Sequence, residues 1–374
     1  MAPGCQTAQN ESMSATRSFL GEGRWHFQHG PIDLILHASG QASIVAAAHE
    51  KAWVRFQTIL KELVGELSLL KCPIDPIHPI GRIESIDHLV ASNPCQGVVA
   101  QNMWQCAAVL AHSGPNGFIT PMVCVAGAVA QEMLKNYEHE SISTAWVNNG
   151  GDIALLLQPQ SVVNIGLVAN PDRFLAKAHA LVPNDLSNQS AKDINLASGL
   201  GLDGQFQIHG GLTIRGVATS GWRGRSFSMG IADSVTVLAR TAAQADAAAS
   251  IIGNAVNLDH PGILRKRACD VKDDSDLGER MVTVSVPELC DEEVAQALQL
   301  GVEEAMNLPE QSGVEYAVLC LGSQIRTISH NEGPSTQFST QPTLQGPTAE
   351  FKTQIHSREE GQMRDMNTLR EMVT

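Results

Sequence analysis

The chain has 374 residues, of which 43% are hydrophobic, so it is long enough to bury a sizeable core in one large domain or two medium ones. Its formal net charge of −14 argues against nucleic-acid binding, which needs a basic face. No apolar segment has the length of a membrane span, and the N-terminal residues lack the apolar stretch of a secretory signal, so we expect a soluble cytoplasmic protein that has no membrane partner.

The first half of the chain is predicted to combine strand pairs with helices. Residues 24–40 indicate two strands joined by a Gly-Pro turn, and the apolar spacing of residues 44–67 predicts an amphipathic helix. Further helices are predicted over residues 94–111 and from about Met122. The segment AWVNNGGDIALLL predicts a strand, a glycine turn and a second strand.

The second half is predicted to continue in the same mixed manner. Strands are predicted at SVVNIGLVA, on both sides of the Gly-Gly turn in FQIHGGLTIRGVATSG, and at SVTVLA, MVTVSV and YAVLCLGSQIRTI; helices are predicted at 242–256 and in DEEVAQALQLGVEEAMNL. Because strand pairs and helices mix without a regular βαβ alternation, we expect an α+β fold of antiparallel sheets packed with helices.

The composition of the two ends differs from that of the middle. Residues 1–17 are predicted to be a disordered lead, and residues 330–374, rich in Ser, Thr, Gln, Pro and charge, a flexible tail. A single domain over residues 18–329 lies between them. The eight cysteines form no CxxC pair, which argues against a zinc ribbon or a thioredoxin-like site.

The segment Asn148-Asn149-Gly150-Gly151-Asp152 joins two apolar strands. Asn and Gly tolerate left-handed backbone angles, so a tight hairpin turn accounts for the glycines. Two asparagines exceed what a plain turn requires, which leaves a ligand-binding interpretation open beside the structural one.

Two further elements follow along the chain. GVATSG, residues 216–221, is neither a Rossmann loop nor a P-loop, but such a strand end can present two hydroxyls and several N–H groups to an anion; an exposed, solvated loop is the alternative. Asp246 and Ser250 are four residues apart on a predicted helix, where a carboxylate and a hydroxyl on one face can share Mg²⁺. The same spacing is common on solvated helix faces.

In this order, NNGGDIAL, RGVATSG and SVTVLARTAAQADAAASIIGNAV resemble motifs of the ApbE superfamily, the FAD:protein FMN transferases. GAVAQEM, residues 127–133, is similar to that family's GAIAKG helix. The resemblance is clear over residues 122–256, and the run GRSFSMGIADSVTVLA is typical of its uncharacterised UPF0280 branch. It implies an ApbE-like fold.

The resemblance also implies roles for particular residues. Mg²⁺ would be held by Asp246, Ser250 and the backbone carbonyl of Ala128. The flavin nucleotide pocket would be lined by Asn149, Gly150, Gly151, Thr219, Ser220 and Gly221. FAD would be the substrate or ligand, and a hydroxyl of a target protein would attack its metal-polarised pyrophosphate.

The chain departs from the transferases after ATSG, where they carry a His-His-Ile-x-Asp-Pro-x-x-Gly stretch and this chain has GRSFSMGIADS. Arg223 and Arg225 in the exchanged loop are candidates to hold a phosphate or carboxylate, and Asp233 is a candidate metal ligand or base. Solvated arginines and a chain-capping Asp233 are the structural alternatives. Gln131 replaces the lysine of GAIAKG. Among the histidines, His112 is the candidate for catalysis, although a lone histidine is more often structural.

Three functional hypotheses follow. The first is an ApbE-like enzyme with a Mg²⁺-assisted pocket for a flavin nucleotide or other anionic small molecule, which carries out group transfer or pyrophosphate cleavage. The exchanged loop motivates the second, an enzyme that acts on a non-flavin ring metabolite. The missing histidine stretch motivates the third, a flavin- or metabolite-binding protein without catalysis.

Overall fold

We describe the chain from a computed structural model. The structure describes residues 14–74, 93–113, 117–168, 204–224, 226–273 and 275–330, together with the backbone of two short strands at Gln337–Ser339 and Lys352–Ser357. The strands are β1 (Thr16–Gly21), β2 (Arg24–His29), β3 (Ile32–Gly40), β4 (Ile142–Asn149), β5 (Asp152–Leu157), β6 (Val162–Leu167), β7 (Gly204–His209), β8 (Gly216–Ser220), β9 (Ser234–Ala239), β10 (Leu264–Arg267), β11 (Met281–Ser285), β12 (Val314–Leu321), β13 (Gln324–Ser329), β14 (Gln337–Ser339) and β15 (Lys352–Ser357).

The helices follow the apolar spacing of the sequence. They are α1 (Ala42–Gly65), α2 (Leu67–Leu70), α3 (Val98–Val109), α4 (Val125–Leu134), α5 (Ala242–Ala255), α6 (Ala268–Val271) and α7 (Asp291–Asn307). On α1, the buried side chains include Ala52, Phe56, Ile59 and Leu63, which recur at three- and four-residue intervals as an amphipathic helix requires. None of the helices in the described part of the chain combines the length and apolar character needed to cross a membrane.

Ten strands form one sheet in the order β1-β2-β3-β4-β5-β8-β9-β12-β13-β15. Neighbouring strands are antiparallel except β13 and β15, which are parallel. A smaller sheet has the order β14-β7-β6, and β10 pairs with β11. The predicted α+β class with antiparallel sheets is therefore confirmed.

The central strands of the large sheet are buried on both faces. Because successive residues of a strand point to opposite sides, Ala218 and Val237 join the core beneath the helices. Their neighbours Val217 and Leu238 join a smaller core on the other side, together with residues of β6 and β7. All six residues of β9 are buried. The strand ends that carry the sequence motifs are therefore held from both sides.

The observed strands differ from the sequence prediction in three places. Strands β7 and β8, predicted around one glycine turn, belong to different sheets. Strand β1 begins inside the predicted lead of residues 1–17, of which 1–13 lie outside the described residues. Within residues 330–374, strands β14 and β15 pair with β7 and β13. Apart from His330, the rest of that segment lies outside the described residues, and there the flexible tail stays a prediction.

Candidate functional site

The turn between β4 and β5 uses its two asparagines for different bonds. The Gly151 N–H donates to Asn148 Oδ1 over 2.8 Å, and φ is positive at both glycines, 68° at Gly150 and 118° at Gly151. Asn149 Nδ2 instead donates to the carbonyl oxygen of Ala126 over 3.1 Å. Asn148 therefore shapes the turn, and Asn149 ties the turn to helix α4.

Asp152 follows this turn and connects it with the end of β8. The Thr219 N–H donates to Asp152 Oδ1 over 3.4 Å, and Thr219 Oγ1 lies 2.8 Å from Thr236 Oγ1 on β9. Ser220 Oγ lies 3.6 Å from the position that a Cβ would occupy at Gly253 of helix α5. The NNGGD turn and the ATSG strand end thus share one edge of the sheet, next to α5.

Asp246 on α5 reaches helix α4 because the two helices approach closely. The Gly127 N–H donates to Asp246 Oδ2 over 2.9 Å. A Cβ at Gly127 would stand only 2.3 Å from the carbonyl oxygen of Ala242, so a larger residue would force the helices apart. The glycine therefore fixes the distance between the carboxylate and the Ala126–Gly127 peptide.

The charges of two carboxylates, Asp152 and Asp246, act on each other at this place. Burial, followed by the charge of Asp152, raises the pKa of Asp246 well above its ordinary value, although backbone N–H groups of Gly127 and Ala126 act in the opposite direction. Among the described residues, no Lys, Arg or His forms an ion pair with Asp246. A half-buried carboxylate whose pKa is raised by the charge of a second one favours binding of a cation.

Two thiols border the carboxylates. The pKa of the Cys124 thiol is raised, first by a hydrogen bond with Cys106, then by burial and by the charges of Cys106, Asp246 and Asp152. On the side of Cys106, a cavity of about 170 Å³ lies between α3 and the start of α5. This pair was not predictable from the sequence, because neither cysteine belongs to a motif.

The predicted metal ligands lie on two helices. Ser250 is half-buried one turn after Asp246 on α5, where residues four apart share a face. Ala128 is buried within α4, whereas the peptide that contacts Asn149 and Asp246 joins Ala126 to Gly127, so its carbonyl lies two residues earlier in the helix. The carbonyl of Ala128 as a ligand stays a prediction.

Carboxylate and hydroxyl oxygens are the ligands that a hard cation prefers. Asp152, which was not among the metal ligands predicted from the sequence, is a second carboxylate whose charge acts on Asp246. Within the described residues, no group of three or more His, Cys, Asp and Glu side chains is arranged to hold a metal ion. Mg²⁺ does not require three such side chains, since it is usually bound by one or two carboxylates, water and substrate phosphates.

The flavin-lining residues predicted from the motifs lie at this edge. Gly150, Gly151 and Thr219 are exposed, and Ser220 is half-buried. Gly221 is buried, and a Cβ there would stand 2.4 Å from the carbonyl oxygen of Asp233. The edge therefore offers backbone and hydroxyl groups at its surface.

The exchanged loop after ATSG is held by Asp233. Its Oδ1 accepts from Arg223 Nε over 3.0 Å and from Trp222 Nε1 over 3.2 Å, and its Oδ2 accepts from the Gly322 N–H over 2.8 Å. The Arg223 guanidinium also lies over the Trp222 ring, 4.3 Å from its centre. These bonds favour the chain-capping interpretation of Asp233, and its catalytic role stays a prediction.

The remaining candidates from the sequence are Arg225, His112 and Gln131. Arg225 lies outside the described residues. His112 is exposed just after α3, and the contacts of the described residues do not connect it with Asp152 or Asp246. Gln131 Oε1 accepts from the Ala243 N–H over 3.4 Å, so the residue that replaces the family's lysine supports the first turn of α5.

Comparison with known proteins shows the family of the chain. A sequence profile of the protein family described as AbpE bacteria matches residues 17–327. The chain belongs to this family. It is also similar to proteins named UPF0280, as the GRSFSMGIADSVTVLA run predicted.

Three of these UPF0280 relatives come from methanogens. The protein from Methanococcus maripaludis strain C6 is 31% identical over 156 residues, which is 42% of this chain and 53% of the relative. The protein from Methanopyrus kandleri is 34% identical over 169 residues, 44% and 56% of the two chains. The protein from Methanocaldococcus jannaschii is 34% identical over 148 residues, 39% and 49% of the two chains. The chain spans about half the length of the curated relatives it matches.

Proposed function

We propose that this chain is an ApbE-like enzyme that uses Mg²⁺ to transfer or cleave a group on an anionic small molecule, with a flavin nucleotide such as FAD as the first candidate. One observation carries the proposal: the contacts of Asn149, Asp152 and Asp246 bring the three sequence motifs to one edge of the sheet. These motifs are far apart in the chain, and a purely structural turn, loop and helix would not need to converge around two carboxylates.

The carboxylates and the hydroxyl of Ser250 would hold the cation. The charges of Asp152 and Asp246 act on each other, and burial already disfavours the ionised form of Asp246, so a divalent cation would stabilise both. When bound, such a cation polarises a phosphoryl oxygen and offsets developing negative charge.

The turn and the strand end would bind the ligand itself. Gly150 and Gly151 carry no side chain and are exposed, which leaves room for a ligand near the backbone. Thr219 and Ser220 add hydroxyl groups on the neighbouring strand. We propose a protein hydroxyl as the acceptor of the transferred group, in keeping with the resemblance to the transferases.

Titration of FAD fluorescence tests the proposal. We expect Mg²⁺-dependent quenching in the wild-type protein, loss of the Mg²⁺ dependence in Asp246→Asn, and retention of it in Asp276→Asn. Asp276 is the matched control, because it is a half-buried aspartate outside the three motifs whose carboxylate accepts a hydrogen bond from Thr120 Oγ1. Chromatographic detection of AMP would then establish cleavage of FAD.

One observation favours a second candidate, an enzyme or binding protein for a non-flavin ring metabolite. The loop that differs from the transferases is fastened by Asp233 and Trp222 rather than left open at the site. Mass spectrometry of ligands that co-purify with the protein distinguishes the candidates. A non-flavin compound that is retained by the wild type and lost in Asp246→Asn, together with no binding of FAD, would favour the second.

A further inference from the structure

A larger cavity, of about 670 Å³, lies at the other end of helix α5. It begins beside Asn257, just after the helix, whereas Asp246 lies in the second turn. Its lining includes Met229, Asn257, Arg265, Leu277, Arg280 and Met281. The volume is within the range of about 300–1,000 Å³ that is typical of small-molecule sites.

One wall of the cavity is fixed by hydrogen bonds. The Met229 N–H donates to Asn254 Oδ1 over 2.9 Å, and the carbonyl of Met229 accepts from Asn257 Nδ2 over 3.4 Å. On the strand side, the Thr283 N–H donates to the carbonyl of Ser228 over 2.8 Å. The segment that carries Met229 is thus bound to both α5 and β11, so this wall is formed before any ligand arrives.

Two guanidinium groups line the same cavity. Arg265 faces Thr283 in the β10–β11 register, and its Nη2 donates to Asn257 Oδ1 over 2.6 Å. The Arg280 guanidinium lies over the Phe118 ring, 3.4 Å from its centre. Within the described part of the chain, neither arginine forms an ion pair with a carboxylate. Each guanidinium has five N–H donors, so most of them are left for a ligand.

The charge of the cavity is opposite to that of the whole chain. Glu279 is the carboxylate in the lining, but its side chain is 85% exposed and lies 3.9 Å from Arg267 Nη1. Two arginines therefore face the cavity of a protein whose net charge is −14. Such a local reversal concentrates anions.

We propose that this cavity binds a small organic phosphate, with the phosphate on Arg265 and Arg280 and the apolar part against Met229, Leu277 and Met281. The planar fork of arginine matches a phosphate through paired hydrogen bonds. The methionine and leucine side chains provide an adaptable apolar surface for a ring. This site is separate from the carboxylate pair and needs no metal.

Calorimetric titration with phenyl phosphate, in buffer with EDTA, tests the proposal. We expect saturable binding to the wild type, and weakening by at least about tenfold in Arg265→Gln and in Arg280→Gln, because each loses a charged hydrogen bond. Arg267→Gln is the matched control: it removes the same charge from strand β10, which also carries Arg265, but Arg267 pairs with Asp270 and is not among the residues that line the cavity. It should change the affinity by less than about twofold.

Two further ligands sharpen the result. Inorganic phosphate should bind more weakly than phenyl phosphate, because it makes no apolar contact. Benzoate should also bind more weakly than phenyl phosphate, because a carboxylate accepts fewer hydrogen bonds than a phosphate. The titration with Asp246→Asn should match the wild type, which separates this site from the proposed function. Absence of saturable binding, or equal losses in Arg265→Gln and Arg267→Gln, would overturn the proposal.

A second measurement avoids any dependence on how the variants fold. Phenylglyoxal modifies exposed arginines of the wild-type protein, and mass spectrometry locates the modified residues. Phenyl phosphate should protect Arg265 and Arg280 and leave Arg267 reactive. Protection of all three to the same extent, or of none, would contradict a site in this cavity.

Discussion

Helices α1 and α5 contribute to the same hydrophobic core, but they bury side chains of very different size. On α1, Phe56 lies among aromatic rings, 5.4 Å from Phe27 and 6.1 Å from Trp53 between ring centres. On α5, the buried residues are mostly alanines, and Gly127 of α4 faces Ala242 with no room for a methyl group.

The difference shows that the residues that contribute most to stability are distinct from those that shape the candidate site. Large rings bury much apolar area and stabilise the fold without bringing backbones close together. Small residues allow two helices to approach until the Asp246 carboxylate reaches a backbone N–H group. We therefore expect mutations around α1 to change stability, and mutations around α5 to change binding as well.

The largest effect is expected for Phe56→Ala. Phe56 is fully buried, so its loss should lower the free energy of unfolding by about 3–5 kcal/mol. Urea unfolding followed by circular dichroism measures this change. In the variant that remains folded, the Mg²⁺ dependence of ligand binding should be retained. A loss of that dependence in folded protein would contradict the separation of the two regions.

Gly127→Ala is expected to act on both stability and site. The added methyl group would meet the backbone of Ala242, so we expect a loss of about 1–3 kcal/mol and a displaced Asp246 with weaker metal-dependent binding. Gly65→Ala at the end of α1 is the control, since a Cβ there meets no atom within 4 Å. That variant should be neutral or more stable by up to about 1 kcal/mol. Similar losses in the two variants would contradict the close-approach argument.

Mutation of the two asparagines of the turn should have different effects on ligand affinity. Asn149→Ala removes the bond to Ala126 and should cost about 1 kcal/mol of stability together with some ligand affinity. Asn148→Ala removes the bond to the Gly151 N–H and should cost a similar amount of stability with less effect on affinity. Paired unfolding and binding titrations decide this, and a larger affinity loss in Asn148→Ala would contradict the assignment.

The smallest effect on the free energy of unfolding is expected from a change of pH, through His49 on α1. His49 Nδ1 lies 2.7 Å from the Tyr137 hydroxyl oxygen. Burial, followed by the charge of His37, lowers the pKa of His49 below its ordinary value of 6.5. The unfolded chain therefore takes up the proton first, so the free energy of unfolding should fall as the pH drops below 6.5.

Urea unfolding between about pH 7.5 and about pH 5.5 checks this sign. His49→Gln should show a shallower decline than the wild type, because one of the titrating groups is gone. An equal or steeper decline in His49→Gln would contradict the assignment to this histidine.

Much of the fold was predictable because most elements are local. The period of two in SVTVLA and the helical spacing of residues 44–67 identify their elements without tertiary information. The assignment of β7 and β8 to different sheets was not predictable, because pairing depends on contacts between strands that lie far apart in the chain. Strands β14 and β15 were missed because their polar composition resembles that of a flexible tail.

The candidate site was predictable only in part. The motifs contain Asn149, Thr219 and Asp246, but sequence order alone does not show that Asn149 contacts Ala126 or that the charge of Asp152 acts on Asp246. The position of Asp152 directly after two glycines was the available signal for it. The cavity at Arg265 and Arg280 had no signal, because its residues come from separate segments and form no motif.

Binding of Mn²⁺ tests the central claim, that Asp152 and Asp246 hold a divalent cation, most directly. Mn²⁺ uses the same oxygen ligands as Mg²⁺, and its free ion is counted by electron paramagnetic resonance. We predict one Mn²⁺ bound per wild-type chain and competed off by Mg²⁺, none in Asp152→Asn or Asp246→Asn, and wild-type binding in Asp276→Asn. Equal Mn²⁺ binding by the wild type and both site variants would contradict the account.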